Sequence, residues 1–198
     1  VRDGGAEPRL VRVRRVSDVA FIGHDGAKLS GSGVAVGLQS KGTAVIHRAD
    51  LQPLDNLELF GMSPLYTLDS YRAMGRNAAG YAQISGLQAA MADCQRPGTL
   101  VLREVPAPRR LAPYSAAYSA EVTVDGDDVA TGRFVVLHDP AGQTGWRGET
   151  RVVAFVSADV DAEMARDPAL AEVGWSWLRQ ALEERGAEHT AAGGTVTR

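Results

Sequence analysis

Cysteine is nearly absent: Cys94 stands alone in 198 residues. One thiol excludes an internal disulfide and any metal site built on several cysteines. It favours a reducing, cytoplasmic setting, with Cys94 itself read as a small half-buried residue near a helix end. Lysine is also scarce, with only Lys28 and Lys41, both early in the chain. No apolar run approaches the roughly 18 to 20 residues that a membrane-spanning helix needs. Residues Val1 to Arg15 are charged and lack the apolar stretch of a signal peptide, so none is expected. Because the sequence opens on Val, it reads as a trimmed or internal piece. A strong charge of one sign is missing too, since the net charge is −3. That removes the broad positive field of a nucleic-acid binder.

What is present suits a folded protein, with 44% apolar and 23% charged residues. The charge divides unevenly. Residues 1–82 hold ten basic and eight acidic side chains, and residues 83–198 hold eleven and sixteen. With the patterns described below, this places an organisational break near Gln83. The expected units are 1–83 and 84–198, two pieces sharing few apolar contacts.

In the first unit, Leu10 to Arg14 alternates apolar and basic residues as a half-exposed strand would. Val19-Ala-Phe-Ile reads as a short buried strand, and His24 to Gly33 as a glycine- and serine-rich loop. Val34 to Leu38 and Thr43 to His47 read as two strands, and Leu51 to Pro64 as irregular connection. Thr67 is a candidate N-cap for a helix carrying Leu68, Tyr71, Met74, Ala78 and Tyr81.

In the second unit, Ile84 to Gln95 reads as a separate amphipathic helix. Strands follow at Val101 to Glu104, Tyr118 to Val124, Gly132 to His138 and Thr150 to Val156, with a hairpin turn at Asp125-Gly-Asp-Asp. A last helix runs from Pro168 through Leu170, Val173, Trp177 and Leu182 to a stop at Gly186. The fold class is therefore α/β: a partial three-layer, mixed-sheet, Rossmann-like unit, then a small α+β unit with an antiparallel meander.

Catalytic signatures fail on spacing. Lys41 precedes Gly42 rather than following a phosphate-loop glycine, and Gly33 and Gly37 miss the dinucleotide fingerprint by one position. No Gly-x-Ser-x-Gly surrounds Ser30, Ser32 or Ser40. The glycines between Gly31 and Gly42 fit either turns or a backbone that approaches a ligand. His24, His47, His138 and His189 are scattered and read as surface or strand-end residues, not metal ligands. Asp159, Asp161 and Glu163 read as acidic residues at a helix start. Trp175 and Trp177 lie two apart and cannot share one face, so one packs inside and the other covers a partner or loop.

Beyond short motifs, longer strings carry a resemblance. Ser17-Asp-Val-Ala-Phe-Ile-Gly-His-Asp-Gly-Ala-Lys-Leu-Ser-Gly-Ser-Gly is similar to the medium (beta) subunit of adenosylcobalamin-dependent diol or glycerol dehydratase. Gln39-Ser-Lys-Gly-Thr, Asn56-Leu-Glu-Leu-Phe and Tyr71-Arg-Ala-Met-Gly-Arg-Asn-Ala-Ala-Gly-Tyr-Ala continue it over residues 9–82. The family pattern also has a strand and helix ahead of Leu10 and a tail after Tyr81, which are not found here. The resemblance implies a non-catalytic segment of a propanediol or glycerol dehydratase, a lyase whose large subunit runs the radical chemistry. It implies large and small subunits as partners and adenosylcobalamin as a shared cofactor. Its cofactor-facing positions fall on Asp18, Ser40, Lys41 and Gly42, with a strand-start cap as the plainer role for Asp18.

From residue 84 the sequence resembles an uncharacterised actinobacterial family of unknown function. Arg109-Arg-Leu-Ala-Pro-Tyr, Leu137-His-Asp-Pro-Ala-Gly, Trp175-Ser-Trp-Leu and Gly193-Gly-Thr-Val-Thr-Arg carry this likeness. It implies no activity, which leaves two alternatives. One is a binding or interaction protein whose character lies in the second unit; the other is an artificial or misassembled chimera without function of its own.

Overall fold

The computed structural model describes residues 1, 2, 5–14, 18–93, 97–108 and 110–197. Cys94, Gln95 and Arg96, and with them the expected end of the second helix, lie outside the described residues, as do Ser17, Arg109 and Arg198. The expected mixture of helix and strand holds, in two antiparallel sheets and three α-helices.

The first helix, α1, spans Val19–Lys28. Its buried residues, Val19, Ala20, Gly23, His24 and Ala27, recur at helical spacing along one face. Asp18 caps it, with Oδ1 accepting the Ala20 amide at 2.8 Å, and Lys28 in the last turn complements the helix dipole. The strand expected at Val19 to Ile22 is thus helix, and His24 to Lys28 continues it rather than forming a loop. Four apolar residues do not distinguish strand from helix; the cap and the later small residues do. Leu10 to Arg14 likewise forms no strand.

Strands β1 (Val34–Leu38), β2 (Ala44–Arg48) and β3 (Glu58–Phe60) form a sheet in the order β1-β2-β3. β3 lies in the stretch expected to be irregular. Every pairing is antiparallel, which corrects the mixed sheet. The three layers are nonetheless present. Ala35, Gly37, Val45 and His47 face α1, while Val34 and Ile46 face the following helix at Ala78.

That following helix, α2, runs unbroken over Leu68–Asp93. At 1.5 Å per residue it is about 39 Å long. Thr67 and Ser70 cap its start reciprocally, at 3.2 and 3.4 Å. The two helices expected on either side of Gln83 are therefore one. Its first half covers the first sheet; its second half covers β5 of the next.

The second sheet is a meander of β4 (Leu100–Val105), β5 (Tyr114–Val124), β6 (Asp127–His138) and β7 (Thr150–Ala158). Asp125 and Gly126, with φ of 53° and 95°, make the expected hairpin turn. Tyr114, Ala116 and Tyr118 alternate onto the face that Ile84, Leu87 and Met91 of α2 cover. Asp161 Oδ1 accepts the Met164 amide at 2.7 Å where a short 3₁₀ turn, Met164–Arg166, begins. The last helix, α3, spans Leu170–Glu184, with Gly186 at φ 58° just past its end. Trp175 packs against Gly194 of the tail, whereas Trp177 is exposed.

Candidate functional site

Three of the expected cofactor-facing residues occupy one tight turn. Between β1 and β2, the Gln39 amide donates to the Thr43 carbonyl and the Gly42 amide to the Gln39 carbonyl, both at 2.9 Å. Gly42 has φ 91°, a conformation that side-chain-bearing residues rarely adopt. Ser40 and Lys41 form the exposed tip. The Tyr71 hydroxyl of α2 lies 3.4 Å from where a Cβ on Gly42 would sit, so the turn rests on that helix. Tyr66 packs edge-on against Tyr71, with ring centroids 6.3 Å apart.

Asp18 belongs to the same end of the layer. The Val19 carbonyl approaches Gly37, two residues before the turn begins. The N-terminus of α1 therefore lies at the end of β1 from which the Gln39–Gly42 turn leaves. Asp18 is exposed and engaged as a helix cap, not the strand-start cap considered from the sequence. No hydrogen bond or ion pair joins Asp18 to Lys41 among the described residues. Lys41 is an exposed ammonium with no ion-pair partner among them. This set of one cation, one hydroxyl and the amides of a rigid turn suits a phosphate or an amide carbonyl.

The tyrosines were legible only as helix-face residues, because their place beside the turn depends on how α2 lies. The glycine-rich stretch divides as well. Gly33 and Gly42 serve turns at positive φ, whereas Gly37 meets Gly23 of α1 backbone to backbone.

The buried histidines depart from the sequence reading. His24, His47 and His138 are all buried. The rings of His24 and His47 lie 5.0 Å apart, edge to face. His47 Nδ1 lies 2.8 Å from the Arg48 carbonyl oxygen and Nε2 3.3 Å from that of Pro53. Burial pushes His24 below the usual histidine range, with Lys28 and then His47 adding to the effect against Asp25. No group of three metal-ligating side chains converges among the described residues, and no helix there is long and apolar enough to cross a membrane.

A second concavity, of about 320 Å³, lies where the two sheets approach each other. Arg48, Asp50, Ser85, Gln88 and Glu104 line it. Its polar groups are already engaged with one another. Arg48 holds Asp50 through two bonds of 2.6 and 2.9 Å, which lowers the Asp50 carboxyl, and Gln88 donates to Glu104 at 2.6 Å.

Comparison with known families finds two matches along the chain. Residues 2–88 match a model described as Dehydratase medium subunit. Residues 82–198 match a model described as Protein of unknown function (DUF3000). The two matches overlap at 82–88, inside α2. The second takes in more than half of the sequence, and the chain belongs to that DUF3000 family.

Proposed function

We propose that the dehydratase-like segment serves as a non-catalytic medium-subunit piece of a cobalamin-dependent diol or glycerol dehydratase. In this reading Asp18, Ser40, Lys41 and Gly42 help to hold the nucleotide side of adenosylcobalamin. The observation that carries it is the unpaired Lys41 ammonium at the tip of a fixed turn, at the same end of the layer as the Asp18-capped N-terminus of α1. When bound, adenosylcobalamin supplies the radical chemistry. The residues of this chain contribute binding and orientation alone. Lys41 offers three donors to an anionic or carbonyl oxygen, and Ser40 a hydroxyl. Gly42 keeps the turn in a shape that other residues would strain. Asp18 fixes the first turn of α1 through its cap.

Large and small dehydratase subunits are the partners this reading requires. The exposed apolar residues Leu38, Met62, Leu65 and Leu68 flank the turn and the start of α2, and they support a covering partner. The test is co-purification of the full chain with large and small subunits, followed by titration of adenosylcobalamin. Assembly of all three with saturable cofactor binding is expected, and no turnover by the chain alone. Failure to assemble, or turnover of propane-1,2-diol by the isolated chain, would overturn the proposal.

A further inference from the structure

The outer strand of the second sheet is built to be covered. All nine residues of β7 are exposed. Phe155 is 65% and Val156 73% accessible, and they lie on opposite faces of the strand. Edge strands are normally blunted by lysine, proline, inward charges or a bulge. Between Val152 and Ala158 there is no charged residue and no proline, and pairing with β6 runs without a register shift.

The hydrogen bonds at its two ends fix which backbone groups remain open. The Asp159 amide donates to the Val129 carbonyl at 2.9 Å, and the Glu149 carbonyl accepts the Asp139 amide at 2.8 Å. In an antiparallel ladder bonding alternates. The odd-numbered residues between these ends therefore bond inward to β6. Val152, Ala154, Val156 and Ala158 direct their amides and carbonyls outward.

We propose that the chain pairs with a second copy of itself along this edge. The two β7 strands run antiparallel about a twofold axis at Phe155, joining two four-stranded sheets into one of eight. Outward residues must face outward residues, so self-pairing is confined to registers that differ by two. With the axis at Phe155, Arg151 of each copy stands opposite Asp159 of the other, twice over. Val153 then faces Ser157, and the two Phe155 rings face each other. Moving the axis to Ala154 opposes Glu149 to Asp159, which is like against like. Moving it to Val156 sets Val153 against Asp159 and leaves Arg151 opposite Asp161, which lies past the last ladder bond at Asp159 and is already held by the Met164 amide. Opposite charges across a pair stabilise and like charges destabilise, so charge selects the axis at Phe155. Neither Arg151 nor Asp159 has an ion-pair partner within its own chain among the described residues.

The full chain should sediment as a dimer. Arg151→Asp and Asp159→Arg each set like charges opposite one another at both ends, and each should weaken the dimer by about tenfold or more. Combining them restores opposite charges and should return the dissociation constant to near its starting value. Phe155→Cys, on a Cys94→Ser background, should oxidise to a covalent dimer, because opposed residues in a non-bonded antiparallel pair lie at disulfide distance. This second arm needs no charge reversal and so stands if a reversed variant misfolds. A chain that remains monomeric at millimolar concentration overturns the proposal. So does a dimer that ignores both reversals and forms no Phe155→Cys crosslink.

Discussion

Gly80 lies so close under the ring of Tyr114 that a methyl group added there would fall 2.7 Å from Cδ2 and nearer still to Cε2 and Cζ. Gly80 belongs to the dehydratase-like segment and Tyr114 to the family of unknown function. Next along α2, Tyr81 meets the same ring edge-on at 5.0 Å, and Tyr81 packs against both core clusters. The pieces, expected to share few apolar contacts, do meet at this point. A narrow but close contact links them through α2.

Replacing Gly80 by alanine should accordingly destabilise the chain, although alanine is the better helix former. Overpacking of this kind costs about 1 to 3 kcal/mol, or roughly 2 to 12 °C in Tm for a chain of this size. Tyr114→Leu in the same chain should recover part of the loss by removing the obstructing ring edge. A thermal melt of Gly80→Ala at or above the parent Tm would show that the contact does not form.

Gly37 gives a sharper case. A Cβ there would lie 2.7 Å from the Gly23 amide nitrogen and 2.8 Å from the Val19 carbonyl oxygen. Backbone cannot rotate aside as a side chain can. Gly37→Ala should thus cost about 3 kcal/mol, the upper part of the overpacking range, measured by urea unfolding. Were Gly37 a ligand-approach glycine instead, the variant would keep its stability and lose only binding.

These two glycines show what the sequence could reveal. Thr67, the hairpin at Asp125–Gly126 and Gly186 carry local signals, so the elements near them could be read directly. Val19 to Ile22 could not, because its apolar run is too short to show a period. The turn holding Ser40, Lys41 and Gly42 was legible as a turn. Asp18 comes to the end of β1 only because Gly23 and Gly37 let α1 lie on that strand, a contact between residues fourteen positions apart. Tyr71 reaches the turn only because α2 lies on the other face. The unbroken α2 was hidden for a different reason. A change of composition near Gln83 resembles a boundary, yet backbone hydrogen bonds continue through it.

Stability should fall with acid in a definite window. Burial lowers His24 and His138 below their usual value of 6.5, against a smaller opposing pull from Glu149 and Asp139 at His138. His138 Nδ1 lies 3.0 Å from the Thr150 hydroxyl, and Nε2 is buried without a partner among the described residues. The unfolded chain binds these protons more readily. Folding free energy is then fully present above pH 6.5 and is lost as pH falls from there toward the lowered folded values. Urea titrations from pH 7.5 to 5 should show this decline, and His138→Gln should reduce it. A flat profile in the parent would rule out burial of neutral histidine.

Tyrosine ionisation offers a spectroscopic check on the junction of the two sheets. Burial, reinforced by Glu58, raises Tyr81 to about 12, and burial with Glu58 and Asp139 raises Tyr114 to about 12. Tyr118 is also raised by burial, with Glu104 next. Raised folded values mean that stability is intact below pH 10 and is lost as pH climbs through them. Absorbance at high pH should show Tyr81 and Tyr114 ionising late and together with unfolding. Replacing each by Phe assigns the late step. If both ionise near pH 10 in the folded chain, the ring pair is solvated.

The decisive measurement for the proposed cofactor role concerns Lys41. Its ammonium sits at the tip of the Gln39–Gly42 turn, exposed and unpaired among the described residues, so its removal leaves no buried charge behind. Lys41→Ala should leave the stability unchanged within about 0.5 kcal/mol, as is usual for an exposed side chain. In the complex with large and small subunits, it removes one charge-assisted hydrogen bond to adenosylcobalamin. Such a bond contributes about 1.5 to 3 kcal/mol, which converts to about 10- to 150-fold in affinity. Lys41→Arg should recover only part, because a planar fork directs its donors differently from a compact ammonium. A purely structural turn residue would alter stability or assembly, not cofactor affinity alone. Lys41→Ala complexes that assemble normally and bind adenosylcobalamin as tightly as the parent would remove Lys41 from the site and leave an ordinary turn.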